Sequence, residues 1–288
     1  MSSPELTTIV EKLCQASTRD YNNPYTYLKW PDEVSLEQWF FSQELISIYG
    51  GEVYKQLPET QRQLLSFYEV VNFFSLNIHG ERSLMEGLAH RLHNRNFLDT
   101  SPYLHHFLDE ENKHMIYFAR FCTRYAGKIY PEKKFALSRE YATGEEDFLF
   151  FTKVMIFEEI VDYYNVKMSL DSSLVPIARD INHAHHKDEA RHLVFGRQIV
   201  KDLFHKHSPN WTTETLSEVR KYVADFFHLS WKEYYNPQVY KDAGLPDAYD
   251  LYEEAFNSEQ ARQHRQKISN SCLKFLLENS ILEKEPVL

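Results

Sequence analysis

The chain has 288 residues, 43% of them hydrophobic, which is enough for one large buried core. It contains eight glycines, too few for the tight turns of a sandwich, a barrel or a dinucleotide-binding fold, so composition points to long helices and an all-α protein. The formal charge of −10 excludes a general nucleic-acid binder, which needs a basic face.

Prolines mark the helix boundaries, because they sit at helix starts or just past helix ends. The pattern predicts a short helix over 5–17, then an irregular stretch, YNNPYTYLKWPDEVS. Ser35 is placed to cap a helix running to about Tyr49, before Gly50-Gly51. A long helix is expected over about 59–94, behind Pro58. Others are expected over 102–128, 145–169 and 173–206, and two more over 212–235 and 248–279, separated by a loop with Pro237 and Pro246. The four middle helices are long enough to run the length of a bundle, at about 1.5 Å per residue. The expectation is a single domain, 1–288, with a bundle core over about 60–206. No run approaches the roughly 18 apolar residues of a membrane span. The opening MSSPELTTIVEKLCQ lacks the basic and apolar segments of a signal peptide. Cys14, Cys122 and Cys272 are odd in number and far apart, as suits free thiols in a reducing cytoplasm. With 19 Tyr and 20 Phe, the chain has a core of large rings, a ring-lined cavity, or both.

Two Glu-x-x-His tetrads stand out, Glu111 to His114 and Glu189 to His192. Residues i and i+3 share a helix face, so each tetrad aims a carboxylate and an imidazole at one place. A single tetrad is the ordinary product of chance on a solvated helix. Here the two share their flanks: Glu110 and Asp188 precede the glutamates, while Lys113 and Arg191 precede the histidines. An acid in that position can accept the free N–H of a ligand imidazole and fix its orientation. Apolar residues one turn away, Phe107, Met115 and Phe118, then Ile181 and Phe195, place both histidines on core-facing stripes.

A dinuclear carboxylate site needs one more Glu from each of two further helices. Glu81 lies among Phe74, Ile78, Leu84, Met85 and Leu88, where a lone carboxylate is costly unless it binds metal or a partner. Between the tetrads stand Glu158 and Glu159. At 100° per residue, Lys153 and Lys167 mark the solvent side, which favours Glu158 and turns Glu159 to the flank. Asp162, one turn on, is expected to be an outer partner of the ligands, like Glu110 and Asp188. Six such oxygen and nitrogen donors suit two iron ions, and manganese takes the same set. His185 lies one turn before Glu189 on the same face and is a candidate seventh ligand.

The order Glu81, Glu111-x-x-His114, Glu158, His185-x-x-x-Glu189-x-x-His192 resembles the p-aminobenzoate N-oxygenase family, ferritin-like di-iron enzymes. The match covers about 70–200. The resemblance implies a ferritin-like four-helix bundle with additional N- and C-terminal helices. It also implies N-oxygenation of an amine by O2 through a peroxo-di-iron species. The partners it implies are a small-molecule amine, O2 and a reductase or ferredoxin-type electron donor, within a cytoplasmic homodimer. Arylamine members hold a substrate carboxylate with an arginine late in the chain, for which Arg262 and Arg265 are the candidates here, although each also reads as plain helix surface. The same ligands would also serve a C–H hydroxylase or desaturase, or a ferroxidase.

Overall fold

The computed structural model describes residues 3–132 and 140–288. Among these residues there are helices and no strand. A lone parallel bridge joins Trp39 to Leu174. The order is α1 (Pro4–Arg19), α2 (Glu52–Gln56), α3 (Glu59–Arg91), α4 (Ser101–Phe121), α5 (Glu145–Leu170), α6 (Pro176–His207), α7 (Thr213–Glu233), α8 (Pro237–Asp242), α9 (Ala248–Asn257) and α10 (Glu259–Glu278). Helix α3 packs on α4, and α5 on α6. These pairs meet through α4 with α6 and α3 with α5, giving a ferritin-like four-helix bundle. Helix α1 lies against α4 and α6, and α7 and α10 against α5.

Local chemistry sets the boundaries. Ser3 accepts the Leu6 N–H and Pro4 starts α1, since proline lacks the N–H that a first turn leaves unpaired. Pro176 starts α6 for the same reason, three residues later than the pattern suggests. The expected run over 102–128 ends as a regular helix at Phe121, widens into a π-helical turn, Cys122–Ala126, and stops at Gly127 in the left-handed region. The expected run over 248–279 is broken at Ser258, whose extended backbone ends α9 and whose hydroxyl caps α10 by accepting from Ala261. The loop between the two prolines holds α8, capped by Asn236.

The helix expected from Ser35 to Tyr49 does not form. Ser35 Oγ accepts from Glu37 in a local turn, and the segment contains one 3₁₀ turn, Gln43–Leu45. The reason lies in its apolar residues. Phe40, Phe41, Leu45, Ile46 and Ile48 are all buried, which no single helix face can achieve. The backbone bonds elsewhere instead: Phe40 N–H donates to Ser66 Oγ at 3.1 Å, Trp39 O accepts from Val175 N at 2.8 Å, and the Ser42 hydroxyl donates to Asp171 at 2.6 Å.

Trp231 of α7 joins the C-terminal helices to the bundle. It is fully buried, packs on Tyr164 of α5 and donates its indole N–H to Ser269 of α10 at 3.0 Å. Trp231→Ala is expected to cost about 3–5 kcal/mol in urea unfolding; a cost below about 1 kcal/mol would show that the C-terminal helices attach elsewhere.

Candidate metal centre

Every core helix delivers carboxylates or imidazoles to one buried place. Glu81 comes from α3, Glu111 and His114 from α4, Glu158 from α5, and His185, Glu189 and His192 from α6. Each is at most 4% exposed. Their donor atoms fall into two groups, Glu81 with His114 and His185, and Glu111 with Glu158, Glu189 and His192; within each group the atoms lie within 4.8 Å of one another. Glu111 and Glu189 stand between the groups. Glu111 has one oxygen 3.7 Å from His114 Nδ1 and the other 2.9 Å from His192 Nδ1. Glu189 Oε1 is 3.6 Å from His114, 2.7 Å from His185 and 3.3 Å from His192. Four glutamates that the sequence presents alike thus divide into a pair between the groups and one apiece within them.

Several of the atoms that face inward lack partners. Both oxygens of Glu81, Glu111 Oε1, Glu189 Oε2, and the Nδ1 atoms of His114 and His192 are buried without a hydrogen bond, since even the 2.9 Å approach of His192 to Glu111 is poorly aligned. Buried polar atoms are otherwise nearly always satisfied. Orphaned lone pairs converging from three helices, with Glu158 of α5 beside them, fit a pair of cations.

The outward-facing atoms are fully engaged, and the engagement is crossed. His192 Nε2 meets Glu110 of the other tetrad at 2.9 Å, and His114 Nε2 meets Asp188 at 3.1 Å. Each imidazole donates outward, so its Nδ1 lone pair points inward. Lys113 pairs with Asp188 at 2.8 Å, and Arg191 bridges Glu110 and Asp188. The flanks shared by the two tetrads are therefore one buried network that joins α4 to α6.

His185 is held differently. Its Nε2 faces Glu81 and Glu189, while its Nδ1 lies 2.9 Å from the Asn165 amide of α5. Asn165 Oδ1 is otherwise unpaired. With the amide turned over, Oδ1 accepts from Nδ1–H and the inward Nε2 is free to act as a ligand. Asn165 was not among the expected residues, although it lies seven positions after Glu158 and so shares its face. Tyr103 was also missed; its hydroxyl is buried and unpaired beside this cluster. Phe107 stacks on His192 at 3.9 Å, and Phe118 meets His185 edge-on, which keeps the place dry.

Asp162 does not join the network. It turns about 40° from Glu158 toward half-buried His186, bonding its Nδ1 at 2.6 Å. Glu159 bonds Arg197 on the flank at 2.6 Å.

Without cations, protons balance the four carboxylates. Burial raises the Glu81 and Glu158 pKa values well above the ordinary range, and the neighbouring glutamates add to it. Burial would lower His114, but its bond to Asp188 and the nearby Glu111 carboxylate prevail and push it up to about 9. Burial also opposes a charged His192, and Glu189 and Glu111 overcome it. Burial wins at His185, which is lowered. Bound cations would take the place of these protons.

Residues 3–279 match the model of the p-aminobenzoate N-oxygenase AurF family, nearly the whole chain. The chain belongs to that family. No curated protein matches it. As a member of an oxygenase family it has O2 and a small molecule as its expected reactants. Among the described residues, no helix is long and apolar enough to cross a membrane.

The late arginines do not take the place that arylamine members of the N-oxygenase family suggest. Arg262 is exposed and pairs with Glu259. Arg265 is 1% exposed but serves the fold, donating to the Phe256 and Leu288 carbonyls at 2.9 and 3.0 Å and lying 4.3 Å from the Phe256 ring centre. Helical phase turns it inward, toward α9 and the C-terminal segment.

Two outcomes are expected. Glu110→Gln, which replaces the charged outward partner of His192 with a neutral amide, should weaken metal binding by about 10–100-fold in competition titrations; unchanged affinity would mean that the crossed network is structural alone. Arg265→Met should cost about 1–3 kcal/mol in unfolding by stranding two carbonyls, with metal content unchanged; a loss of metal at full stability would contradict its scaffold role.

Proposed function

We propose that this protein binds two iron ions through Glu81, Glu111, His114, Glu158, His185, Glu189 and His192, and uses them to N-oxygenate an amine with O2. The carrying observation is the set of inward donor atoms left without hydrogen bonds, arranged as two groups with Glu111 and Glu189 between them. Four carboxylates offset the charge of two divalent ions, and oxygen with imidazole donors suits iron, or manganese in its place. When bound, such a pair supplies the electrons and Lewis acidity that reduce and activate O2.

The chain's own residues do the rest. Glu110 and Asp188 hold His192 and His114 with their Nδ1 lone pairs inward, and Asn165 holds His185 by Nδ1 so that its Nε2 lone pair points inward. Phe107 and Phe118 keep bulk water out, so the charges act at low dielectric. The N-oxygenase family membership supports attack at nitrogen rather than carbon, and small-molecule biosynthesis as the setting. An external reductase or ferredoxin-type protein supplies electrons, and the working form is a cytoplasmic homodimer.

Purified protein should carry close to two irons per chain, and Glu111→Ala should lose them. His185→Ala should lose part of the metal and the conversion of amines to hydroxylamines. Full metal loading and turnover in that variant would remove His185 from the ligand set. Oxidised carbon products would favour a hydroxylase or desaturase, and iron cycling without organic product a ferroxidase.

A further inference from the structure

A cavity of about 270 Å³ lies between the 40–53 segment, α3, α5 and the C-terminal helices, with Glu69 in its wall. Glu69 is 4% exposed. Its Oε1 accepts from the Ser47 N–H at 3.1 Å and from the Ser47 hydroxyl, and its Oε2 makes no hydrogen bond among the described residues. No lysine, arginine or histidine nitrogen lies within 4 Å of it among those residues, so it is a buried carboxylate without a counter-charge.

The rest of the lining suits a cation. Phe73, Tyr163, Tyr164, Tyr234 and Tyr235 present rings, which attract ammonium groups across their faces. The other acids of the wall are Glu44, which has Lys167 at 3.3 Å, Glu52, which has Lys55 at 2.7 Å, and Glu254. Against them stand exposed Lys267 and His264, whose imidazole burial holds neutral by pushing its pKa down to about 4. Burial raises the Glu69 carboxyl to about 7, so an arriving ammonium can ionise it and pair with it. Neither Arg262 nor Arg265 lines the cavity, so an incoming carboxylate would meet Glu69 without a guanidinium to offset it.

We propose that this cavity is an organic-ammonium site with Glu69 as its anchor, and that it selects an extended aliphatic diamine or polyamine. That the bound molecule is the substrate rests on the N-oxygenase reading. Glu69 stands twelve residues before Glu81 on α3, about 18 Å of helix rise. A molecule anchored at one and oxidised near the other is therefore long, with an amine at each end. The stacked rings of Phe73 and Tyr164, 5.3 Å apart, line the cavity, and Tyr164 adjoins Asn165, the partner of His185.

The test is calorimetric titration of the whole protein with spermine and, separately, with suberate, alongside iron analysis of the same samples. Spermine should bind, suberate should not, and Glu69→Gln should weaken spermine at least ~10-fold. Gln keeps an oxygen for Ser47, so thermal unfolding should be unchanged. His264→Arg adds a cation to the wall without touching Glu69 and should weaken spermine likewise, which keeps the test valid if Glu69→Gln folds poorly. The exposed Glu253→Gln should leave the tight phase intact, separating it from loose binding to an acidic surface. Preference for suberate, or equal spermine affinity in wild type, Glu69→Gln and His264→Arg, overturns the proposal. Glu69-dependent spermine binding by protein that takes up no iron would leave the site standing and remove the oxygenase reading; iron loading without spermine binding would do the reverse.

Discussion

The buried pairing of Glu110, Asp188, Lys113 and Arg191 is the constraint on which the centre depends. Four charges leave water together, which is favourable only if each finds partners of opposite sign in good geometry. They do so by crossing between α4 and α6: Arg191 spans both acids, Lys113 closes on Asp188, and each acid takes the imidazole of the opposite tetrad. One helix sliding along the other would break several of these contacts at once. The network therefore fixes the register of the two helices and the ring orientation of His114 and His192 together. Apart from Arg191 Nε, the atoms of this network are satisfied, while orphaned atoms gather inside, and that separation gives the cluster its directional character.

The central part of this arrangement is legible in the sequence because helix geometry is regular. The spacing of three within each tetrad, the shared flanks and the 100° step that separates Glu158 from Glu159 follow from a period that tertiary packing does not disturb in the middle of a long helix. What the spacing does not reveal is pairing between helices. Glu110 and Asp188 were expected beside the histidines, but a pattern along one chain cannot distinguish a bond to the near imidazole from one to the far. Asp162 shows the opposite failure: its phase is close to that of Glu158, and the 40° difference is enough to give it to His186 instead.

The ends of the helices were less legible, for reasons that differ by site. Ser258 is an ordinary polar residue in an apolar rhythm, and its role as a cap depends on an extended backbone that nothing local demands. Between Ser35 and Tyr49 the apolar residues are too evenly spread for one face, and hydrogen bonds to α3 and to the segment ahead of α6 replace the helical ones. Arg265 reads from the sequence as a substrate anchor or as plain surface, and the structure instead buries it and bonds it within the fold. A buried guanidinium has five N–H groups to place; two backbone carbonyls and the Tyr235 hydroxyl take three of them, and Nε is left without a partner.

The same physics operates at two places along α3. Glu69 and Glu81 are each sealed from water and each raised in pKa by burial, yet their surroundings answer that cost differently. Around Glu81 the relief must come from charge placed at the convergence of other carboxylates and imidazoles, which is the demand that a multivalent cation meets. Around Glu69 there is one carboxylate, two bonds from Ser47 on one oxygen, and a wall of rings, which a compact multivalent ion would find short of oxygen donors. A singly charged ammonium needs one acceptor and tolerates aromatic faces for the rest of its surface. Thus one helix, by the company it gives two buried glutamates, separates a place for metal from a place for an organic cation.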